Sequence, residues 1–133
     1  MNTSAEQFAA RSLALLDKLP LECDGVSRAL SYLLQRDGIE HEVHVGSLAV
    51  EGVGRIGLHW WVQLPGGVVC DARAQMWLGR DPRVPHGVFE PQPQQIYQTQ
   101  GIHPLEFSPI VFWILTERPI EDFPSFEACS PAR

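Results

Sequence analysis

One cysteine, one histidine and one aspartate follow each other in an order that could support nucleophilic catalysis. Cys23 stands where the loop 18–22 turns into an amphipathic helix, and His59 and Asp71 follow on two runs predicted to form a hairpin. A thiol attacks a carbonyl carbon as its thiolate, so it needs a base within hydrogen-bond reach. The base needs a third group that fixes its tautomer and orientation. We therefore predict a triad of Cys23, His59 and Asp71.

The register of the hairpin decides whether Asp71 can reach His59. If Pro65-Gly66-Gly67 forms a three-residue loop with a left-handed glycine, Val62 pairs with Cys70 and Asp71 falls on the face of His59. The two residues would then be diagonal neighbours about 7–8 Å apart, a gap that two side chains can close. The same register places Cys70 on the opposite face, as a small core hydrophobe without a role in chemistry.

Two helices and an antiparallel sheet are predicted to position these residues. The first helix begins at Ser4, which matches a capping box with Gln7, and ends before Pro20. The second begins near Cys23 and ends at Gly38, where a left-handed cap is expected. Strands are predicted at Glu42–Val50, Leu58–Leu64 and Val68–Asp71, with a further buried strand at Ile110–Leu115.

Length indicates one domain over residues 1–133, and the predicted helices and strands make it an α+β domain. Its core is expected at about 4–78 and 105–118. The segment 79–109 is rich in proline, glutamine and glycine and is predicted to be a long ordered loop region that shapes a substrate cleft. Residues 119–133 are predicted to form a surface tail.

The charge and the apolar runs exclude two classes of partner. A formal net charge of −6 with scattered basic residues disfavours nucleic acid, which is bound mostly through clustered lysine and arginine. The apolar runs are too short for a membrane span, and the start of the chain has no secretory signal pattern, so we expect a soluble cytoplasmic protein. Three cysteines, the last at Cys129, cannot all pair within one chain.

Several motifs between Leu21 and Asp71 resemble those of a known family. A cysteine opens a helix that ends in Gly-Ile, a strand of the form His-x-Trp-Val-x-Leu follows, and an aspartate ends the strand after the next turn. The matching segments are Cys23-Asp24-Gly25, Arg36-Asp37-Gly38-Ile39, His59-Trp60-Trp61-Val62-Gln63-Leu64 and Gly67-Val68-Val69-Cys70-Asp71. Together they resemble the transglutaminase-like cysteine enzymes.

The resemblance implies a papain-like α+β core with N-terminal helices packed on a small antiparallel sheet. It implies Cys23 as nucleophile, His59 as general base and acid, and Asp71 as the orienting residue. Members of the family include proteases, amidases, deamidases and acyltransferases. We expect a peptide or protein substrate, an acyl-enzyme on the cysteine, hydrolysis as the simpler outcome, and no cofactor.

Other residues are predicted to support or surround this chemistry. Trp61 shares a face with His59 and could line the cleft, and His86, in a loop, is the other candidate for substrate contact. The backbone amide of Cys23 could serve an oxyanion, with no second donor assigned. His41 and His44 lie three apart on a strand and face opposite sides, so we predict no metal site.

Two alternatives remain at this point. The chain could be related to the NlpC-type cell-wall peptidases, in which a cysteine also begins a helix, with His44-Val45-Gly46 resembling their histidine strand. It could also be a binding or inhibitor module in which the triad is vestigial, because Glu22 and Asp24 flank Cys23 and like charge disfavours a thiolate.

Overall fold

A computed structural model shows how these elements assemble, and it describes residues 3–126. The described chain contains four α-helices: α1 (Ser4–Asp17), α2 (Cys23–Arg36), α3 (Ala74–Leu78) and α4 (Pro109–Thr116). It also contains five strands: β1 (Glu42–Val50), β2 (Gly54–Leu64), β3 (Val68–Asp71), β4 (Gly87–Phe89) and β5 (Gln95–His103). The predicted α+β class is confirmed. No helix within the described range is both long and apolar enough to cross a membrane.

The ends of the first two helices follow from local capping. Helix α1 is capped by Thr3, whose side chain accepts from the Glu6 amide while Glu6 reaches back to the Thr3 amide. The prediction of Ser4 and Gln7 as the capping pair is therefore wrong by one residue. Helix α2 ends before Gly38, whose φ of 69° confirms the predicted left-handed position.

The sheet is antiparallel with the strand order β4-β3-β2-β1-β5. Strands β1 and β3 have the predicted bounds, while β2 begins four residues before its predicted start. In the β2–β3 hairpin, Val62 pairs with Cys70 across a turn in which Gly66 and Gly67 have φ of 82° and 78°. The predicted register is thus confirmed, because glycine supplies the positive φ values that the turn requires.

The main core lies between helices α1 and α2 and the sheet. Cys70 is part of it at 2 % exposure, as predicted, and burial raises the pKa of its thiol far above the ordinary value. A second, smaller cluster forms around Leu48 and Ile56, with Tyr97 packed against it. Members of the main core include Phe8, Leu13, Leu16, Leu30, Leu33, Leu34, Val62 and Phe112.

The segment predicted to be loop, 79–109, contains two strands. Strand β5 pairs with β1 from Gln95 to His103, along nearly the whole of β1. The prolines of this segment lie outside β5, so its amides are free to join the ladder. The prediction that this part of the segment lacks regular structure is wrong. The strand forms by pairing with β1, which is distant in sequence, so no local pattern indicates it.

The apolar run Ile110–Leu115 forms helix α4 rather than the predicted buried strand. Ser108 caps the helix by accepting from the Val111 amide, and Pro109 occupies the first turn, where its missing N–H costs nothing. Phe112 enters the core, whereas Ile110, Trp113 and Ile114 are more than half exposed. The prediction is therefore wrong in both the element type and its burial.

The predicted surface tail begins with residues that pack against the core. Ile120 and Phe123 are each 4 % exposed, and the Arg36 guanidinium donates to their carbonyl oxygens at 2.8 and 3.2 Å. The tail prediction is wrong for this part of the chain, because a buried arginine and an aromatic anchor hold it. Cys129 lies outside the described residues.

Candidate active site

A buried histidine–carboxylate pair lies where strand β3 ends beside strand β2. His59 Nε2 lies 2.7 Å from Asp71 Oδ2, and the two side chains are 0 % and 1 % exposed. In β2, only the residues from Val62 to Leu64 pair with β3. His59 lies on β2 before this paired stretch, and its side chain meets Asp71 diagonally. The predicted hairpin register therefore brings the second and third predicted residues together.

Asp71 accepts two further hydrogen bonds that fix its carboxylate. The Tyr97 hydroxyl donates to Oδ2 at 2.7 Å, and the Arg73 amide donates to Oδ1 at 2.9 Å. Burial, followed by the charge of Asp71 and the hydrogen bond to it, strongly raises the pKa of Tyr97, so this phenol remains a donor. Sequence reasoning missed Tyr97 because its position depends on the β1–β5 pairing and no local motif marks it.

The ring of His59 is held between Asp71 and Cys23. Burial lowers its pKa, but the hydrogen bond to Asp71, the nearby Cys23 side chain and the charges of both outweigh burial and raise the pKa to about 9. Nε2 is bound to Asp71, so Nδ1 is the nitrogen that can serve the thiol. Nδ1 is buried and has no hydrogen-bond partner within residues 3–126. Cys23 is thus near enough to raise the pKa of His59, but its thiol is not hydrogen-bonded to Nδ1.

Cys23 is the first residue of α2 and is partly exposed, unlike the buried Cys70. The first backbone bond of the helix runs from the Val26 amide to the Glu22 carbonyl at 2.9 Å. The amides of Cys23, Asp24 and Gly25 therefore precede the helical ladder and point towards the same end as the thiol. Glu22 and Asp24 are exposed, so water screens their charges.

Arg73 ties the loop before Cys23 to the end of strand β3. Its Nε donates to the Leu21 carbonyl at 2.5 Å, and Nη2 donates to the carbonyls of Asp17 and Leu19 at 3.2 and 3.0 Å. Nη1 donates to the Ala72 carbonyl at 2.8 Å and to the Asp17 carboxylate. All five N–H groups of the guanidinium are used. Arg73 therefore fixes the loop 18–22 relative to Asp71 and has no donor left for a substrate.

The structure contradicts the predicted role of Trp61 in lining a cleft. Trp61 is 0 % exposed and packs edge to face on Tyr97, with ring centroids 4.9 Å apart, and stacks on His44 at 5.6 Å. It lies on the same side as His59, as predicted, but the side chains of Tyr97 and His44 cover it. Trp61 therefore supports the residues around Asp71 from within the fold and does not reach a surface.

Neither His41 nor His44 is placed to act with Cys23. Both ring nitrogens of His44 are bonded, Nδ1 to Thr99 Oγ1 at 2.6 Å and Nε2 to Glu42 Oε1 at 3.0 Å. His44, the histidine that the NlpC-type alternative would use, is thus bonded to Thr99 and Glu42. His41 bonds to side chain and backbone near α2, and burial lowers its pKa. Within residues 3–126, no cluster of three or more histidine, cysteine or carboxylate side chains is arranged to hold a metal.

His86 lies at an open cavity of about 670 Å³ next to the loop 18–22. Its Nε2 donates to Asp17 Oδ2 at 3.1 Å, and its side chain remains 39 % exposed. The cavity is also lined by Leu21, two residues before Cys23, and by Ala72, which follows Asp71. The predicted substrate contact of His86 stays a prediction, and its position in this cavity is compatible with it.

No protein-family model matches the chain, and neither a curated protein nor a solved structure matches it.

Proposed function

We propose that the protein is a cysteine-dependent hydrolase of amide bonds, with Cys23 as nucleophile, His59 as base and acid, and Asp71 as orienting residue. The observation that carries the proposal is the 2.7 Å bond from His59 Nε2 to a buried Asp71, which leaves Nδ1 towards the Cys23 thiol. A buried histidine that is held on one nitrogen and in contact with a partly exposed thiol on the other has the parts of an activated nucleophile.

The reaction would proceed through an acyl-enzyme. The Cys23 proton passes to His59 Nδ1, and the thiolate attacks the substrate carbonyl to form a carbon–sulfur bond. The carbon–nitrogen bond then breaks, and His59 returns the proton to the leaving amine. Water next attacks the thioester while His59 accepts a proton from it. The thiolate leaves, His59 reprotonates it, and a carboxylic acid is released.

The surroundings of Cys23 suit the charges that this sequence creates. The unpaired amides at the start of α2 can donate to the oxyanion that forms on the carbonyl oxygen. Asp71 stabilises the imidazolium that forms when the thiol loses its proton. The open cavity beside Leu21 is large enough for the side chain of a peptide. The α+β core and the motifs of Cys23, His59 and Asp71 are compatible with a transglutaminase-like enzyme of papain-like fold.

Alkylation of each cysteine by iodoacetamide, measured by peptide mass spectrometry across pH, tests the proposal. An ordinary thiol with a pKa near 8.5 has only about 0.3 % thiolate at about pH 6. A thiolate–imidazolium pair keeps much more thiolate, so we expect Cys23 to react at least about tenfold faster than N-acetylcysteine at this pH. Cys70 should not react until the protein unfolds, because it is buried.

Two variants make the test specific. His59→Gln should bring the reactivity of Cys23 down to that of the reference thiol, and far-ultraviolet circular dichroism should show that it remains folded. His41→Gln changes another buried histidine and should leave Cys23 reactive. If wild-type Cys23 reacts no faster than the reference thiol, the proposed enzyme is wrong and the fold is better tested as a binding module.

A further inference from the structure

The cavity of about 670 Å³ beside the loop 18–22 contains one positively charged side chain that has no acidic partner within residues 3–126. Its wall includes Asp17, Arg73, Arg80 and His86 together with apolar side chains, among them Leu21. Leu21 is two residues from Cys23, so their backbones are at most about 7 Å apart. Cys23 itself lines a narrow cleft that shares Ala72 and Arg73 with the cavity, so a substrate bound in the cavity can extend to the thiol.

Three of the four charged or titratable groups in the wall bind to one another. Asp17 Oδ1 accepts from the Arg73 guanidinium, and Asp17 Oδ2 accepts from His86 Nε2 at 3.1 Å. The remaining N–H groups of Arg73 bind backbone carbonyls, so Arg73 has no free donor. The charge of Asp17 is thus balanced inside the wall.

Arg80 is different because no acid within residues 3–126 pairs with it. The nearest acid in sequence, Asp81, accepts from Arg83 through both oxygens, at 2.9 and 2.8 Å. That pairing lowers the pKa of Asp81 to about 2 and keeps the carboxylate on Arg83. Arg80 therefore lines the cavity with no acidic partner among residues 3–126, on a protein whose formal net charge is −6.

We propose that this cavity binds a substituent of the substrate near the scissile bond and prefers one that carries a carboxylate, which pairs with Arg80. This inference rests on the proposed function for the connection to Cys23. A guanidinium binds a carboxylate through two parallel N–H donors, which a neutral amide cannot match. The apolar part of the wall, including Leu21 and Met76, would contact the methylene groups of the same substituent. The substrate class is accordingly an acidic peptide or an acidic acyl amide.

Equilibrium binding of two unreactive probes tests this preference without requiring catalysis. The probes are N-acetylglutamate α-amide, with a side-chain carboxylate, and N-acetylglutamine α-amide, which is neutral and of the same shape. Nuclear magnetic resonance titrations should give a roughly two- to fivefold tighter binding of the carboxylate probe, the range for a partly exposed ion pair. The advantage should shrink as salt is added.

Arg80→Gln should reduce the ratio of the two affinities to about one. Arg11→Gln makes the same charge change on an exposed residue outside the cavity and should leave this ratio unchanged. Equal binding of the two probes, or a preference that persists in Arg80→Gln, overturns the proposal. The carboxylate probe should also slow iodoacetamide alkylation of Cys23 or, if that thiol is unreactive, shift its backbone amide resonance. A bound probe that does neither would show that the cavity is not connected to the site of Cys23, which overturns the proposal. Failure of the enzyme proposal alone appears separately, as an unreactive Cys23 with the probe preference intact.

Discussion

Replacing Asp71 with asparagine removes one negative charge from the buried pair and nearly preserves its shape. The pKa of His59 is raised from an ordinary 6.5 to about 9. At about 1.4 kcal/mol for each tenfold change, this difference amounts to about 3 kcal/mol in favour of the imidazolium. Burial opposes that preference, so Asp71 and Cys23 together supply more than the net value. In Asp71→Asn, only Cys23 would oppose burial, and we expect the pKa of His59 to fall to 6.5 or below.

A titration of the His59 ring resonances by nuclear magnetic resonance, from about pH 5 to about pH 10, measures this change. Asp81→Asn is the matched control, since it removes a carboxylate that is exposed to solvent and bound only to Arg83. The control should titrate at His59 as the wild type does. A wild-type value near 6.5, or a value that stays near 9 in Asp71→Asn, would refute the reasoning.

The same charge pair makes the stability of the protein depend on pH. The folded pKa of His59 lies above its unfolded value, so its contribution is fully present below pH 6.5 and is lost as pH rises through about 9. Urea unfolding at about pH 6 and about pH 10 should show a loss of roughly 3 kcal/mol in the wild type from this group. In Asp71→Asn this part of the pH dependence should be absent, and an equal dependence in both proteins would contradict the assignment.

Three further variants test other contacts. Tyr97→Phe keeps the ring packing but removes a hydroxyl donor to a buried carboxylate, so urea unfolding should show a loss of about 1–3 kcal/mol, and an unchanged value would contradict the bond. Arg73→Lys replaces five fixed donors by three on a flexible side chain. The alkylation rate of Cys23 at about pH 6 should fall several-fold, with an unchanged circular dichroism spectrum. An unaltered rate would contradict the positioning role. Gly46→Ala would push a methyl group into a backbone carbonyl of β5, whereas the space beside Gly101 is open. Thermal unfolding should therefore show a much larger loss of stability for Gly46→Ala than for Gly101→Ala. Equal losses of stability would contradict the close approach of the two strands at Gly46.

The sequence was sufficient to predict the elements whose signals are local. Helix α2 has a clear apolar stripe and a glycine cap, and strands β1 and β3 show the expected β-rich runs. The two glycines after Pro65 fix the hairpin turn, and the turn fixes the register that brings Asp71 to His59. These parts were predictable because each depends on a few adjacent residues.

The parts that could not be predicted depend on contacts between distant segments. Strand β5 exists because β1 offers an edge to pair with, and its pairing also brings Tyr97 to Asp71. Helix α4 was missed because its six apolar residues fit a strand equally well by composition, and the decisive signal was the Ser108 cap with Pro109 in the first turn. The burial of Trp61 likewise follows from β5 and not from its own strand.

The guanidinium of Arg73 has a consequence for how the protein opens. Loops before catalytic residues commonly unfold locally at little cost, because few buried groups hold them. Here the carbonyls of Leu19 and Leu21 are bound to an arginine that is itself buried beside Asp71. The loop cannot leave without exposing the strand end and releasing a paired charge. Amide hydrogen exchange at Leu19 and Leu21, whose N–H groups are bonded to nearby backbone carbonyls, should therefore be as slow as in the sheet, and heat should abolish thiol reactivity only when the whole domain melts.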